Sequence, residues 1–275
     1  MAKSGKLRRE PPEPVKKVLR REVGFGCPVP GCGSPYLMWH HFDPSWREQK
    51  HHNPEGMIAL CGEHHAKADA GAFTSEQLRR FKAEAAQNIQ ERKARFDWMR
   101  NRLLVVAGGN FAYDCPVIFD FNDEPRIWIT RDAEDYLMLN IQMLSISGQP
   151  RAGMRDNWWI AKGNPDDLVC PPSGRLVQVQ YVNGDDLKVE FFELESFDAL
   201  RKRYPFAGEA PPWLAFPLTA VEVDMTVGGT WIRFGARDAT FGAATVTGNY
   251  AYAGRVAVGL RGRLQDAMLK QARRR

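Results

Sequence analysis

The sequence predicts an α+β protein: a small zinc-stapled module near the N-terminus, a long connecting helix, then a β-rich C-terminal region. Three observations carry that expectation. All six histidines and three of the five cysteines fall between Cys27 and His65. A helical apolar period begins at Thr74. Beyond Leu103 the chain turns into short runs of β-branched and aromatic residues broken by turn residues. The expected boundaries are a basic arm over 1–22, the Cys/His module over 23–73, the connecting helix over 74–102 and the β-rich region, with a basic terminal helix, over 103–275.

At 275 residues and 44% apolar content the chain suits one large or two modest globular domains. No run approaches the roughly 20 apolar residues of a membrane span, and no apolar segment follows the charged N-terminus. The expectation is a cytoplasmic protein with no membrane partner. The net charge of +5 is unevenly spread. Lys3, Lys6, Arg8, Arg9, Lys16, Lys17, Arg20 and Arg21 crowd one end, and Arg261, Arg263, Lys270 and Arg273 to Arg275 the other. Such clusters suit phosphate neutralisation by counterion release.

Taken in order, Pro11, Pro12 and Pro14 argue against a continuous helix in the basic arm. Residues 23–73 have few apolar periods and need a staple, which metal can supply. Thr74 and Gln77 fit a capping box, and Leu78, Phe81, Ala85, Ile89, Phe96 and Met99 form one helical face opposite solvated Arg79, Arg80 and Lys82. Strands are expected over 117–121, 126–130, 136–144, 176–182 and 187–194, with Asn183-Gly184 turning the last pair into a hairpin. A short helix is expected over 196–204. Glycines at intervals of five to seven residues between Gly228 and Gly259 suit an antiparallel sandwich or meander, with a β-solenoid as the alternative. A helix over about 260–271 ends the chain. Asp166-Asp167 and Asp185-Asp186 read as turns, Cys115 and Cys170 as packing, and Trp128, Trp158, Trp159, Trp213 and Trp231 as core.

The chemistry lies in the Cys/His segment. Cys27 and Cys32, then Cys61 and His64, are two short-spaced pairs that can converge on a tetrahedral structural Zn²⁺. An odd cysteine count in a reducing compartment favours metal over disulfides. His40 and His41 adjoin on a strand and so face opposite ways, with Asp43-Pro44 turning the chain after them. His65 and Asp69, four residues apart, share one face of a helix that opens at the second pair.

From His40-His41 through Asn53 to Cys61-Gly-Glu-His64-His65, this segment resembles the HNH (ββα-metal, His-Me finger) endonuclease motif. The resemblance covers about residues 23–80. It implies His41 as general base, His40 and His65 as catalytic-metal ligands, Asp69 as a further ligand in the manner of some members, and His64 in place of the second knuckle cysteine. The central Asn of the pattern would stand five residues before the knuckle cysteine, where this chain has Gly56. Asn53, three residues earlier, is the candidate for orienting the base. The implied catalytic ion is Mg²⁺ or another divalent cation, and the implied activity is hydrolysis of DNA phosphodiester bonds. The C-terminal region would then select the target, recognise a partner or sense a signal. The alternatives are an RNA-directed nuclease and a zinc-stapled nucleic-acid-binding module without catalysis. His51 and His52 are left without a role.

Overall fold

In the computed structural model of the chain, which describes residues 7–85 and 92–262, two of the three N-terminal prolines start a helix rather than prevent one. Pro12 is the N-cap of α1 (Glu13–Glu22) and Pro14 lies in its first turn, where backbone N–H groups have no intrahelical partner to lose. Residues Glu13–Glu22 of the arm are therefore helical, and Leu19 among them is fully buried. Buried Arg20 grips buried Asp167 through two bonds, Nε to Oδ1 at 2.8 Å and Nη2 to Oδ2 at 2.6 Å. Asp167 is thus an interior anchor, a correction to its reading as a turn residue.

The chain forms two compact units, one from the segment up to Ala94 together with Asp167–Gly174, the other from Arg95–Asp166 and the segment from Arg175 onward. In the first unit β1 (Leu37–His41) and β2 (Met57–Cys61) form a two-stranded antiparallel ribbon in which Leu37 faces Cys61 and His41 faces Met57. Then come α2 (Gly62–Asp69) and α3 (Ser75–Ala85). Every residue of β2 is buried. Its MIALC run lacks alternation because α1 and α2 both pack against it. Met57, Ile58 and Leu60 join Leu19, Val23, Leu78 and Phe81 in one core, each fully buried aliphatic side chain contributing about 1.5–3 kcal/mol.

The capping box forms: Thr74 N donates to Gln77 Oε1 and Gln77 N to Thr74 Oγ1. The helix it starts is shorter than expected. It is described as far as Ala85, residues 86–91, which include Ile89, lie outside the described residues, and β3 (Arg92–Arg95) follows, so the helix does not reach 102. Phe96 is fully buried in the second unit, its N–H bonded to Asn157 O and its ring 5.0 Å from that of Phe191. Its place in the helical period was a coincidence of spacing that tertiary burial overrides. Lys82 also departs from the solvated face, since its Nζ donates to the carbonyls of Pro54 and Met57 and pairs with Glu22.

The second unit is built of open, mostly antiparallel sheets. Its strands are β4 (Leu103–Ala107), β5 (Asn110–Tyr113), β6 (Val117–Phe121), β7 (Glu124–Arg131), β8 (Leu137–Gln142), β9 (Gly153–Arg155) and β10 (Trp158–Ala161). After β11 (Asp167–Val169), which belongs to the first unit, come β12 (Leu176–Gln180), β13 (Asp186–Leu194), α4 (Phe197–Arg203), β14 (Leu218–Val227), β15 (Ile232–Phe234), β16 (Ala239–Phe241), β17 (Ala244–Val246), β18 (Tyr250–Tyr252) and β19 (Val256–Leu260). One sheet runs β19-β6-β7-β8-β9-β10 and the other β12-β13-β14-β15-β16-β17. All five expected strands form, and Gly184 supplies the positive φ of the β12–β13 turn.

The glycine-spaced region forms a meander only through β17. The strands β18 and β19 instead pair parallel with β5 and β6, and Leu260, expected to begin the terminal helix, ends β19. The rest of that expected helix, from residue 263, lies outside the described residues. Trp159 is buried, but Trp158 and Trp231 are exposed, which corrects their reading as core. Asp185 is fully buried and accepts bonds from Arg151, Asn183, Ser145 and the Gly228 N–H, so it too is more than a turn residue. Among the described residues no helix is long and apolar enough to cross a membrane.

The β1–β2 register is locked from the turn side. Gly56 O accepts from both Phe42 N and Asp43 N. A Cβ at Gly56 would lie 2.0 Å from Asp43 O, a backbone atom that cannot swing away. Gly56→Ala is expected to destabilise the first unit by about 1–3 kcal/mol, read as a lower urea midpoint, and Gly56→Asn by more. Unchanged midpoints in both variants would contradict the lock.

Candidate functional site

The ribbon and α2 sort neighbouring histidines into separate groups. Side chains adjacent on a strand point to opposite faces, and side chains adjacent on a helix diverge by about 100°. His64 therefore turns toward the cysteines while His65 turns toward β1, and His40 and His41 part at the end of that strand.

In the first group the ligand atoms of Cys27, Cys32, Cys61 and His64 all lie within 4.8 Å of one another, so the cluster could hold a metal ion. His64 Nδ1 is 3.4 Å from Cys27 Sγ and 3.2 Å from Cys61 Sγ, and the Cys32 and Cys61 sulfurs are 3.7 Å apart with no disulfide. A tetrahedron with metal–sulfur bonds of about 2.3 Å and metal–nitrogen bonds of about 2.0 Å has edges of about 3.8 and 3.5 Å. The observed separations fit it. Burial pushes the Cys27 thiol up to about 12, with the neighbouring Cys32 and Cys61 adding to the effect. A bound cation reverses that balance by favouring the thiolate.

The second group is His40, His65 and Asp69, whose ligand atoms also lie within 4.8 Å of one another. Asp69 Oδ1 is 3.2 Å from His40 Nδ1 and its Oδ2 is 3.3 Å from His65 Nδ1. His65 Nε2 lies 3.2 Å from Trp39 O, and a carbonyl only accepts, so the ring proton sits on Nε2. The Nδ1 lone pair of His65 therefore faces a carboxylate oxygen. His40 Nδ1 is buried and makes no hydrogen bond despite its closeness to Asp69. Burial lowers the His40 pKa, opposing Asp69, which raises it. Two ring nitrogens converging on one carboxylate form a donor set that a cation between them would satisfy, and a ligand histidine anchored through its other N–H to a carbonyl is a common metal arrangement. The donor set fits a divalent ion.

His41 lies on the other side of the strand end. Its Nε2 is 3.1 Å from His51 O, which places the ring proton there and leaves Nδ1 buried and without a partner. Burial, reinforced by His51 and His52, lowers its pKa to about 4. The β1–β2 loop folds around it: Trp46, His51 and His52 have ring centroids 4.8, 5.2 and 6.0 Å from its own. His51 is held by donating from Nε2 to Pro44 O and accepting the Asn53 N–H at Nδ1.

Asn53 is not placed to orient the base. It is exposed, and its Oδ1 accepts from Glu55 N as the N-cap of the one-turn 3-10 helix Pro54–Gly56. The acceptor that meets His41 Nε2 is the carbonyl of His51. Gly56 cannot stand in either, because a side chain there would overlap Asp43 O.

His40, His41 and Asp69 line a cleft of about 580 Å³, along with Trp46, Arg9, Arg47 and Lys50. Arg9 approaches Asp69 at 3.7 Å. Arg47 and Lys50 have no ion-pair partner among the described residues. Sequence reading missed Trp46, Arg47, Lys50 and the roles of His51 and His52. Their one signal is that they crowd a single loop, and its path back onto β1 is a tertiary matter. Comparison with protein-family models, with curated proteins and with solved structures returns no match for this chain.

Two mutants separate the clusters. Cys61→Ser is expected to lose tight metal uptake and to lower the melting temperature of the first unit by 10 °C or more, on the order of 2 kcal/mol of lost stability. Asp69→Asn is expected to weaken uptake at the second cluster and keep the melting temperature within about 3 °C of the parent. Metal titration and calorimetry on the full chain check both, and equal destabilisation would refute the division of roles.

Proposed function

We propose that the chain is a metal-dependent endonuclease of the HNH type that hydrolyses DNA phosphodiester bonds. The observation that carries the reading is that His40 and Asp69 of the His40–His65–Asp69 donor set line one cleft with His41, a histidine whose orientation is already set. In this reading the four-ligand cluster holds a structural Zn²⁺, the ion its soft donors suit. The three-ligand set holds Mg²⁺ or another divalent cation, which would supply charge stabilisation to the phosphate oxygens and the departing 3′-oxygen.

His41 is the general base. Its Nδ1 takes a proton from the water that attacks phosphorus, while Nε2–H stays on the His51 carbonyl. That bond keeps the imidazole from turning and stabilises the positive charge it acquires. The low pKa of His41 ensures that the ring is unprotonated at neutral pH. Arg47 and Lys50, without an ion-pair partner among the described residues, neutralise backbone phosphates on either side of the scissile bond. Asp69 and His65 sit one helical turn apart on α2, so one rigid element positions both.

The experiment is plasmid nicking with added Mg²⁺, Mn²⁺ or Ni²⁺. The expected outcome is cleavage with at least one metal, reduced about 10²- to 10⁴-fold in His41→Ala while its melting temperature and zinc content hold near one ion per chain. Absence of cleavage of both plasmid and single-stranded DNA with every metal, while DNA is still bound, would reject the enzyme and leave a zinc-stapled binding module. Cleavage of RNA in preference to DNA would reassign the substrate.

A further inference from the structure

We propose that Trp46 is a nucleobase-stacking platform beside the scissile bond, so that the substrate is DNA whose base at the cleavage point is unpaired: single-stranded or locally opened DNA. This inference rests on the nuclease reading above and names its substrate class.

Four observations carry it. The indole of Trp46 is only part-buried and lines the cleft. Its ring centroid is 4.8 Å from that of His41, so it stands next to the base that would activate water. It is backed by His52, whose ring lies 5.5 Å away and 23° from parallel, which holds the indole plane in place. The residue after it, Arg47, and then Lys50 also line the cleft and have no ion-pair partner among the described residues.

An aromatic face flanked by unpaired cations on one loop is the combination that holds single strands: stacking on the bases and neutralisation of the phosphates. Inside a duplex both faces of every base are covered by neighbouring pairs. A tryptophan this close to the reacting phosphate can stack on the adjacent base only if that base has left the helix. The loop has no carboxylate among the cleft-lining residues between Ser45 and Lys50 to repel a backbone. His52, which has no catalytic task, thereby acquires a positioning one.

The test uses the full chain without added divalent cation and a single-stranded oligodeoxynucleotide carrying one 2-aminopurine, alone or annealed into a duplex. Stacking on Trp46 is expected to quench the 2-aminopurine in the single strand. Affinity for the single strand is expected to exceed that for the duplex at equal salt. Trp46→Leu, which keeps apolar volume without a planar face, is expected to lose the quench and about tenfold or more in affinity, while Trp46→Phe retains most of both. Duplex bound as tightly as single strand, or Trp46→Leu binding like the parent, overturns the proposal. The two readings fail separately. Plasmid nicking undiminished in Trp46→Leu sinks the stacking role and keeps the nuclease, whereas a Trp46-dependent quench with no cleavage under any metal keeps the stacking role and sinks the nuclease.

Discussion

Five residue pairs between β1 and β2, from Leu37 opposite Cys61 to His41 opposite Met57, set the positions of His40, His41 and Cys61 and of the helix that follows. One end of the ribbon delivers His40 and His41 to the cleft. The other delivers Cys61 to the four-ligand cluster and launches α2, which carries His64, His65 and Asp69. A slip of one residue would exchange the faces of His40 and His41 and push the buried β2 side chains out of the core. The carbonyl of Gly56, bonded to two successive N–H groups after β1, blocks that slip, and the fully buried β2 run opposes it from the core side.

This constraint explains a departure that the sequence pattern leaves unaccounted for. The position at which an HNH motif would carry its central Asn is also the position at which this ribbon closes, and the closure leaves no room for a Cβ. The acceptor that fixes the His41 ring is instead the His51 carbonyl, which is kept in place by the ring contacts of His51 itself with Pro44 O and Asn53 N. A backbone acceptor depends on loop conformation and not on side-chain identity, so no sequence motif reveals it.

The two clusters differ in how their donors are held, and that difference separates their roles. Cys27, Cys32, Cys61 and His64 come from the chain before β1 and from the β2–α2 junction, so an ion among them ties distant segments of a unit with a small core. His40, His65 and Asp69 come from elements that already pack together, and the group borders an open cleft. An ion there would tie together less of the chain, and on the other face of the strand end burial holds the His41 pKa low.

Much of this was legible in residue spacing alone. The two short-spaced ligand pairs, the i and i+4 relation of His65 and Asp69, the capping box at Thr74 and the hairpin at Asn183-Gly184 depend on contacts within a few residues, and local geometry determines them. The strands over 117–121 and 187–194 were visible because their runs of β-branched and aromatic residues are written into the chain, and most of the second alternates in burial. What only the tertiary structure decided depends on where distant segments meet. The basic arm became a core helix because Asp167, 147 residues away, neutralises Arg20. The helix after Ser75 stopped short of Phe96 because that ring finds a better burial site in the second unit. The loop of Trp46, Arg47 and Lys50 became the wall of a cleft because the Gly56 carbonyl draws it back over β1, a closure that long-range packing imposes and that no local pattern encodes.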